Sequence, residues 1–373
     1  MYKIYGKQQK DRVPFSEGCD FILELGGERK GTDIRLLQIT DMQVIDASQC
    51  RTPDRLRPDE KAAWARENKD VQCYDHIRSL VAQTQPDMIF ITGDVVYGQF
   101  DDSGDCLKDF IAFMESLQIP WTLVYGNHDN ESAIGVARQS EMYAAGTYCM
   151  FKRGNVTGNS NFSIGITCGG ELKRVFYMVD SNGCVSQDPE VVRERGIYPD
   201  QIAQIEEKAE ALKTLTGKTV PGFMAFHIPV DCFLEAEQEK GYGGEVTSQY
   251  ILGVDTVPKD GDFGFRLEKC KPLKTDGNFK QMLHRCGIDG VFVGHCHSIS
   301  TCILYDSIRW VFGLKTGQYD YHIPGQLGGT LVTLSGTSNT FAVRHIPALV
   351  PQKGFPGSAP MWNGFFAGSA NST

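Results

Sequence analysis

Short apolar runs that end in polar, ligand-type residues recur along this chain, and they constrain its fold more than any other feature. The run Ile288–Val293 is rich in β-branched residues, and Gly294, His295, Cys296 and His297 follow it directly. Such a run predicts a short buried strand that a glycine ends. On an extended backbone two histidines at alternate positions point the same way, so each could reach a different ion of a close metal pair. The alternative is a pair of solvated loop histidines.

The same arrangement occurs four more times. Residues 34–40 precede Asp41, Met42 and Gln43; residues 86–92 precede Gly93, Asp94 and Tyr97; residues 120–125 precede Gly126, Asn127, His128 and Asp129; and residues 221–226 precede His227. In open α/β sheets, ligands bind in the crevice beyond the carboxyl ends of the strands. The chain is therefore predicted to be an α/β protein with a metal site at the carboxyl ends of its strands.

Amphipathic segments alternate with these strands. Apolar residues that recur on one face predict helices over residues 60–84, 106–117, 199–215 and 278–286. The strand–helix–strand order implies a parallel sheet with right-handed crossovers. Later strands are predicted over residues 161–166, 175–179, 303–313, 330–334 and 341–345. We expect one domain over residues 1–350, followed by a Gly-, Pro- and Ser-rich tail over residues 351–373.

The charge balance limits the partners of the protein. The chain of 373 residues carries a formal net charge of −9, whereas binding to a nucleic-acid polymer or an anionic membrane needs a basic surface. A small anionic substrate is still compatible, because a metal pair supplies local positive charge. Residues 1–12 lack the apolar core of a signal peptide, and no apolar run approaches the length of about 20 residues that spans a bilayer.

The twelve cysteines are scattered along the chain without a Cys-x-x-Cys pair. In a chain of this length, this pattern predicts reduced, buried thiols and a cytoplasmic location. Cys296 lies between two histidines, so it could bind a metal as a soft ligand or turn away from them into the core.

Taken in order, the five polar blocks resemble those of the calcineurin-like metallophosphoesterase superfamily, closest to the purple acid phosphatases and related phosphoesterases. The matching blocks are Asp41-Met42-Gln43, Gly93-Asp94-Val95-Val96-Tyr97, Gly126-Asn127-His128-Asp129, His227 and Gly294-His295-Cys296-His297. The resemblance implies a four-layer α/β/β/α sandwich with two central mixed sheets. It also implies a metal-dependent phosphoesterase that hydrolyses a small phosphomonoester or phosphodiester with a metal-bound hydroxide at a dinuclear centre.

The same resemblance assigns a metal-ligand role to seven side chains. It implies that Asp94 bridges two ions, that the first ion is completed by Asp41, Tyr97 and His297, and that the second is completed by Asn127, His227 and His295. The expected ions are iron and a divalent ion, which could be iron, zinc or manganese.

One block departs from the usual pattern of the superfamily, because Gln43 stands where a histidine ligand is common. Purple acid phosphatases also lack this histidine, and the tyrosine three residues after the bridging aspartate coordinates instead. Tyr97 occupies that position. A phenolate is a hard anionic donor that favours ferric iron. The alternative is that Tyr97 only packs at the end of its strand, while Gln43 or water fills the coordination place.

His128 matches the histidine that contacts the substrate and protonates the leaving oxygen in the superfamily. Asp129 would orient this imidazole or would only form a turn. Gln43, Asn161 and Tyr242 are candidates for substrate contacts. Four other histidines have no supporting context and are predicted to be structural or surface residues: His76, His284, His322 and His345.

Two other kinds of function are compatible with the sequence. The substrate could be a phosphoprotein or a cyclic nucleotide, and the oligomeric state stays open. In a different class, the chain could be a non-catalytic binding protein on a degenerate phosphoesterase fold. Loss of several ligands would favour that class, whereas here only the histidine of the first block is missing.

Overall fold

Two β-sheets pack face to face, and helices cover both outer sides. The computed structural model describes residues 2–7, 12–46, 71–101, 103–183, 188–275, 278–323 and 325–349. Within these residues the strands of the two sheets and of one small hairpin are β1 (Tyr2–Tyr5), β2 (Phe21–Leu25), β3 (Ile34–Ile39), β4 (Met88–Ile91), β5 (Trp121–Leu123), β6 (Cys149–Met150), β7 (Phe162–Cys168), β8 (Glu171–Met178), β9 (Gly222–Ala225), β10 (Tyr250–Ile251), β11 (Phe265–Arg266), β12 (Ile288–Val293), β13 (Cys302–Tyr305), β14 (Ile308–Phe312), β15 (Gly328–Leu334) and β16 (Phe341–Pro347). The α-helices of the described residues are α1 (Val71–Thr84), α2 (Asp105–Ser116), α3 (Gly135–Ala145), α4 (Pro199–Thr216), α5 (Cys232–Glu239) and α6 (Phe279–Arg285).

Both large sheets are mixed, as predicted. One has the strand order β1-β2-β7-β8-β9-β12-β14-β13, and the other has the order β16-β15-β3-β4-β5-β6. Strands β8, β9, β12 and β14 run parallel, and so do β3, β4, β5 and β6. Antiparallel pairs join β15 to β3 and β13 to β14. Parallel neighbours place their carboxyl ends at one edge, so the loops after β3, β4 and β5 lie side by side, as do those after β9 and β12.

Aromatic side chains fill the space between the sheets. Phe90 of β4 meets Phe176 of β8 at a ring-centroid distance of 4.8 Å and Phe292 of β12 at 5.4 Å. Phe223 of β9 joins the cluster 5.1 Å from Phe292. All four rings are fully buried, and burial of each contributes about 1.5–3 kcal/mol. This contact fixes one sheet against the other.

Three helices cover each outer face, which completes the four-layer α/β/β/α sandwich predicted from the sequence. Helix α1 packs on β3 and β15, and α3 packs on β6 and α2. On the other side, α5 packs on β13, and α6 packs on β12 and α4. In α1 the fully buried Ile77 and Leu80 lie three residues apart on the face turned to the sheet.

The differences between predicted and observed elements have local causes. Residues 303–313 form the hairpin of β13 and β14, whose turn residues Asp306 and Ser307 both have positive φ values of 52° and 60°, as a tight hairpin requires. Helices α3 and α5 have no counterpart among the sequence predictions. Residues 60–70 of the first predicted helix, and the tail over 351–373, lie outside the described residues. The domain boundary at residue 350 stays a prediction.

No helix within the described residues is long and apolar enough to cross a membrane. The ten cysteines in this part of the chain are buried, free thiols, in agreement with the prediction from their spacing.

His345 of β16 is buried, and both of its ring nitrogens have partners. Its Nδ1 lies 2.9 Å from Thr330 Oγ1, and its Nε2 lies 2.7 Å from the backbone carbonyl of Ser300. Because a carbonyl only accepts, Nε2 carries the hydrogen and Nδ1 accepts from the hydroxyl. This arrangement needs the neutral ring, and burial lowers the pKa of His345 to about 4.

Folding stability is therefore expected to fall between pH 7 and pH 5. The unfolded chain takes up a proton near pH 6.5, whereas folded His345 resists it down to about pH 4, so protonation favours unfolding in this window. The expected loss from this residue is about 2 kcal/mol at pH 5. Urea unfolding at both pH values measures it. His345→Gln can keep both hydrogen bonds without titrating and should lose about 2 kcal/mol less; equal losses in the two proteins would contradict this.

Candidate metal centre

Two glycines of the polar blocks let the strand-end loops pack against one another. A Cβ at Gly126 would lie 2.1 Å from Asp94 Oδ1, and a Cβ at Gly294 would lie 2.1 Å from the side chain of Thr40. Contacts this short exclude every residue except glycine. The loops after β3, β4, β5, β9 and β12 can therefore bring their polar side chains into one place.

Four of these side chains stand on left-handed backbone. Asp41, Gln43, Asp94 and His295 have φ values of 53°, 50°, 54° and 71°. A residue other than glycine adopts this conformation at a cost of about 1 kcal/mol or more. Such residues cluster at functional sites, where the surrounding structure holds the strained backbone in place.

His227 lies at the middle of one cluster of metal-donor atoms. Its Nδ1 is 2.7 Å from the backbone carbonyl of Thr92, so Nδ1 carries the hydrogen and Nε2 of the neutral ring has the lone pair. Around Nε2 lie Asn127 Oδ1 at 3.2 Å, Asp94 Oδ2 at 3.3 Å and His295 Nδ1 at 3.3 Å. Donor atoms that face one another in this way, with a carbonyl fixing the ring, are typical of a metal site.

A second cluster shares the same aspartate. Asp41, Asp94 and His297 each offer one donor atom, and these atoms lie within 4.8 Å of one another. His297 Nδ1 is 2.9 Å from the carbonyl of Tyr321, so its Nε2 is the donor atom, 3.3 Å from Asp41 Oδ1. That buried oxygen accepts no hydrogen bond from the described residues, which a coordinated cation explains. The side chains present therefore fit two ions that share Asp94.

The charges of these groups suit metal binding. Burial opposes ionisation of Asp94, but the imidazoles of His227 and His128 outweigh it and hold the pKa of Asp94 well below its usual range. Burial, followed by His227, lowers the pKa of His295 to about 3, so this ring is neutral. Burial also lowers the pKa of His227, but Asp94 and Asp41 outweigh it and raise the pKa to about 9. A metal ion that binds His227 therefore displaces a proton.

His128 stands beside the two clusters and is held by a carboxylate. Its backbone N–H donates to Asp94 Oδ1 at 2.9 Å, and its Nδ1 lies 2.8 Å from Glu131 Oε2. Burial opposes the charged imidazolium, but Asp94 and Glu131 outweigh it and raise the pKa of His128. Glu131 lies on the single 3-10 turn that follows His128. Its spacing of three residues is a signal that the sequence analysis missed.

Asp129 does not orient this imidazole, which corrects the sequence prediction. Its Oδ2 accepts hydrogen bonds from the backbone N–H groups of Gly126 at 2.7 Å and Asp94 at 2.8 Å, and its Oδ1 accepts one from Val96 at 3.0 Å. Both carboxylate oxygens therefore hold the loops after β4 and β5. Glu131 takes the position that the sequence analysis gave to Asp129.

Gln43 lies inside the centre with its amide oxygen occupied. Lys315 Nζ donates to this oxygen at 2.8 Å and to the backbone carbonyl of Asp41 at 3.0 Å. Gln43 Nε2 faces Asp94 Oδ2 at 3.4 Å. Because an amide coordinates metals through its oxygen, this orientation disfavours Gln43 as a ligand, and its complete burial removes it from contact with a substrate. No motif in the sequence marks the buried Lys315.

Tyr97 lies next to the centre. Its fully buried ring stacks on the imidazole of His128, with the ring centroids 4.4 Å apart and the planes at 25°. It also packs in a small apolar cluster with Ile45, Phe100 and Tyr319. The stack fixes the tyrosine ring against the residue that stands beside both donor clusters.

Two of the predicted substrate contacts lie elsewhere, which corrects those predictions. Asn161 Oδ1 accepts hydrogen bonds from Gln201 Nε2 at 2.7 Å and from the backbone N–H of Asp180 at 3.1 Å. The hydroxyl of Tyr242 donates to Asp262 at 3.0 Å. Both side chains are buried in structural networks, and neither lines the cavity above the centre.

A cavity of about 620 Å³ opens above the donor clusters. Its lining residues are Asp94, Asn127, His128, Glu131, Arg193, Arg195, Glu268, Lys269, Lys271, His295, Cys296, His297, Asp320 and Tyr321. This volume is within the range of pockets that enclose a small organic ligand. The basic residues and Glu268 come from loops without a sequence motif, and the sequence analysis missed them.

The family model of the calcineurin-like phosphoesterases matches residues 34–298 of the chain. The chain belongs to this family. The match begins at β3 and ends just after His297, so this phosphoesterase domain contains both donor clusters. Membership confirms the resemblance that the polar blocks carry.

Relatives of this chain include a protein of Arabidopsis thaliana named "Probable inactive purple acid phosphatase 29", 25% identical over 79% of this chain and 74% of the relative. Phosphatase DCR2 of Saccharomyces cerevisiae is 24% identical over 73% of this chain. The matched region covers only 45% of DCR2. A solved structure of a dimetal phosphatase from Danio rerio is similar with a TM-score of 0.48 and 12% identity, over 80% of this chain and 92% of that chain.

Substitution of a donor histidine is expected to remove metal. His227→Gln takes away a ring nitrogen that faces three other donor atoms, so the protein should retain less than one equivalent of the second ion after gel filtration. His345→Gln is the matched control, because that histidine is equally buried and also bonds a backbone carbonyl. Elemental analysis and thermal unfolding with and without chelator are the measurements. The thermal measurement reports on the metal because bound metal stabilises the native state by mass action. Equal metal content in both variants would contradict the assignment.

Proposed function

We propose that this protein is a dinuclear metallophosphoesterase that hydrolyses a small phosphomonoester or phosphodiester. The position of Asp94 carries the proposal, because this carboxylate contributes to both donor clusters at the floor of the cavity. His128 stands on the wall of the same cavity. The centre thus combines places for two ions, space for an ester and a candidate proton donor.

The side chains that would hold the ions divide into two sets around Asp94. Asp41 and His297 would complete the first site, and Asn127, His227 and His295 would complete the second. The two ions, when bound, would neutralise the phosphoryl oxygens and activate the attacking water. Asp41, Asp94 and His227 are almost completely buried, and low solvent access around them strengthens electrostatic interactions.

His128 is the proposed proton donor to the leaving oxygen. Glu131 occupies its Nδ1, so Nε2 is the ring nitrogen left to act on a ligand in the cavity. The raised pKa keeps a larger fraction of the imidazole protonated near neutral pH, which a general acid needs. Glu131 acts through His128, by orienting the ring and stabilising its charge.

Tyr97 is the proposed fourth ligand of the first ion. The amide oxygen of Gln43 is taken by Lys315, which leaves the place of the usual histidine to another donor. The ring of Tyr97 is held against His128 at the edge of the centre. Because a phenolate is a hard anionic donor, we infer iron at this position and a divalent ion at the other.

A non-catalytic binding role is the second candidate, because the names of three relatives include the word inactive. The presence of the metal-donor set and of the pair formed by His128 and Glu131 supports the catalytic role. Phosphoproteins and cyclic nucleotides stay alternatives to a small phosphoester. The buried free thiols of the described residues support the proposed cytoplasmic location.

A substrate panel separates these candidates. Protein loaded with iron plus zinc or manganese is assayed on p-nitrophenyl phosphate, its bis-ester, a cyclic nucleotide and a phosphopeptide. Hydrolysis of the small esters that chelator abolishes would support the proposal. Metal binding without hydrolysis of any member would favour the non-catalytic role.

His128→Asn is expected to reduce turnover by about 10²–10⁴-fold, the usual contribution of a general acid, with metal content near wild type. Glu131→Gln should reduce turnover by a smaller factor and should change the pH dependence of turnover. Without the carboxylate the pKa of His128 falls, so activity that needs the protonated ring should disappear at a lower pH. The alkaline limb of the pH–rate profile measures this shift.

The control for this experiment is Glu141→Gln, which removes a carboxylate that pairs with Arg138 on the protein surface. It should leave the alkaline limb in place. If Glu131→Gln also leaves the limb unchanged, Glu131 does not tune His128. If His128→Asn loses an ion, His128 is a ligand and its proposed role is incorrect.

Iron-loaded protein is expected to be coloured, with a charge-transfer band from tyrosinate to ferric iron. Tyr97→Phe should abolish the band and weaken the binding of the first ion, with little change in the binding of the second. Tyr125→Phe is the matched control, because Tyr125 is also a buried tyrosine but its hydroxyl lies 2.9 Å from Ser140 Oγ. Visible spectra and metal stoichiometry are the measurements. A colourless ferric protein would reject Tyr97 as a ligand.

A further inference from the structure

Four basic side chains surround the cavity above the metal centre. Arg193 and Arg195 approach from the segment after β8, and Lys269 and Lys271 approach from the segment after β11. All four are exposed residues. The protein as a whole has a formal net charge of −9, and we define these four basic side chains as the cationic rim.

Four carboxylates line the same cavity as the cationic rim: Asp94, Glu131, Glu268 and Asp320. Among the described residues, no carboxylate forms a salt bridge with any of the four side chains, and none of the four donates a side-chain hydrogen bond. The carboxylates are held by other groups, and Asp94 accepts from the backbone N–H of His128. Glu131 binds His128, Glu268 accepts from the backbone of Ser298, and Asp320 accepts from the backbone of Tyr321.

The backbone beneath the two arginines is anchored on both sides. The carbonyl of Val192 accepts from Gly183 N at 2.9 Å, and the N–H of Gly196 donates to Ser181 O at 2.9 Å. Arg193 and Arg195 lie between these two bonds. The backbone that carries these two arginines is therefore held at the cavity before a ligand enters.

The backbone beneath the two lysines is anchored in the same way. Leu267 N donates to Ser298 O at 2.9 Å, and Cys270 N donates to Val246 O at 3.1 Å. Cys270 is buried, and Lys269 and Lys271 flank it on the exposed side. Pre-organisation reduces the entropy that a side chain loses when it binds a ligand.

Unpaired like charges around one cavity repel one another, and an anion that binds among them removes this repulsion. Metal ions bound by the donor residues at the floor of the cavity would hold one phosphoryl group. The cationic rim lies around that floor, so it would contact a different part of the same ligand. Arginine favours phosphate because its planar donors bind two phosphate oxygens at once.

We propose that the cationic rim binds a second phosphate group, so that the substrate is a small organic bisphosphate. This inference rests on the proposed function, which places the first phosphoryl group at the metal centre. The cavity volume of about 620 Å³ allows a sugar or nucleoside with two phosphates. The cationic rim therefore determines specificity, while the metal centre performs the hydrolysis.

The test compares two substrates that differ by one phosphate. Metal-loaded full-length protein is assayed for phosphate release from glucose 1,6-bisphosphate and from glucose 6-phosphate. The KM for the bisphosphate should be lower by about tenfold or more, which corresponds to about 1.4 kcal/mol of binding free energy. The combined variant Arg193→Gln, Arg195→Gln, Lys269→Gln and Lys271→Gln should remove this difference in KM between the two substrates.

A matched variant controls for the change in net charge. Lys30→Gln, Lys108→Gln, Lys218→Gln and Arg344→Gln remove four exposed cations away from the cavity, and this protein should keep the preference for the bisphosphate. Equal KM values for the two substrates in the wild type would overturn the proposal. A preference lost equally in both combined variants would overturn it as well.

A binding measurement separates this proposal from the proposed function. Both glucose phosphates are titrated by calorimetry into metal-loaded His128→Asn, with and without the four substitutions of the cationic rim. If no ester is hydrolysed but tight bisphosphate binding still needs the rim, the proposed enzyme fails and the second-phosphate site stands. If esters are hydrolysed but binding does not depend on the rim, the second-phosphate site fails alone.

Discussion

The buried carboxylate of Asp129 is the interaction on which the metal centre depends. It accepts hydrogen bonds from the backbone N–H groups of Gly126, Asp94 and Val96 at 2.7, 2.8 and 3.0 Å. These groups belong to the loops after β4 and β5, so one side chain fixes Asp94 relative to Asn127. Without it, three buried donors would lose their partner, at a cost of about 1–3 kcal/mol each. These hydrogen bonds hold the two loops, and therefore Asp94 and Asn127, in fixed positions.

Hydrogen bonds between the two sheets also position the donor residues. His227 follows β9 of one sheet, but the carbonyl that orients it belongs to Thr92, which follows β4 of the other. Gln38 of β3 likewise donates to the carbonyl of Val293 at 3.0 Å across the sheets. The separation of the donor atoms thus depends on how the sheets pack. The aromatic cluster around Phe90 is therefore part of the support of the centre.

Sequence reasoning succeeded where function and local structure share one short motif. Asp94, Asn127 and His295 each follow a strand whose apolar pattern predicts both the strand and its end. The resemblance to the family blocks then predicts that these residues belong to one metal site. It missed Lys315 and the cationic rim, because these residues meet the centre only through tertiary packing of loops without a motif. It misplaced Asp129, because a carboxylate next to His128 in sequence binds backbone amides, while Glu131 returns to the ring after one 3-10 turn.

The distribution of charge explains how an acidic protein can select small anions. Asp41 and Asp94 would be anionic ligands, and a coordinated phenolate at Tyr97 would add a third negative charge, which the neighbouring ammonium of Lys315 would offset in part. Above the metals, the cationic rim attracts an anion at short range. The net charge of −9 repels extended polyanions, whose many charges act over a surface. A small ligand with two phosphates contacts only the cavity. At physiological salt the Debye length is about 8 Å, so the charges that line the cavity affect this ligand more than the net charge of the whole protein does.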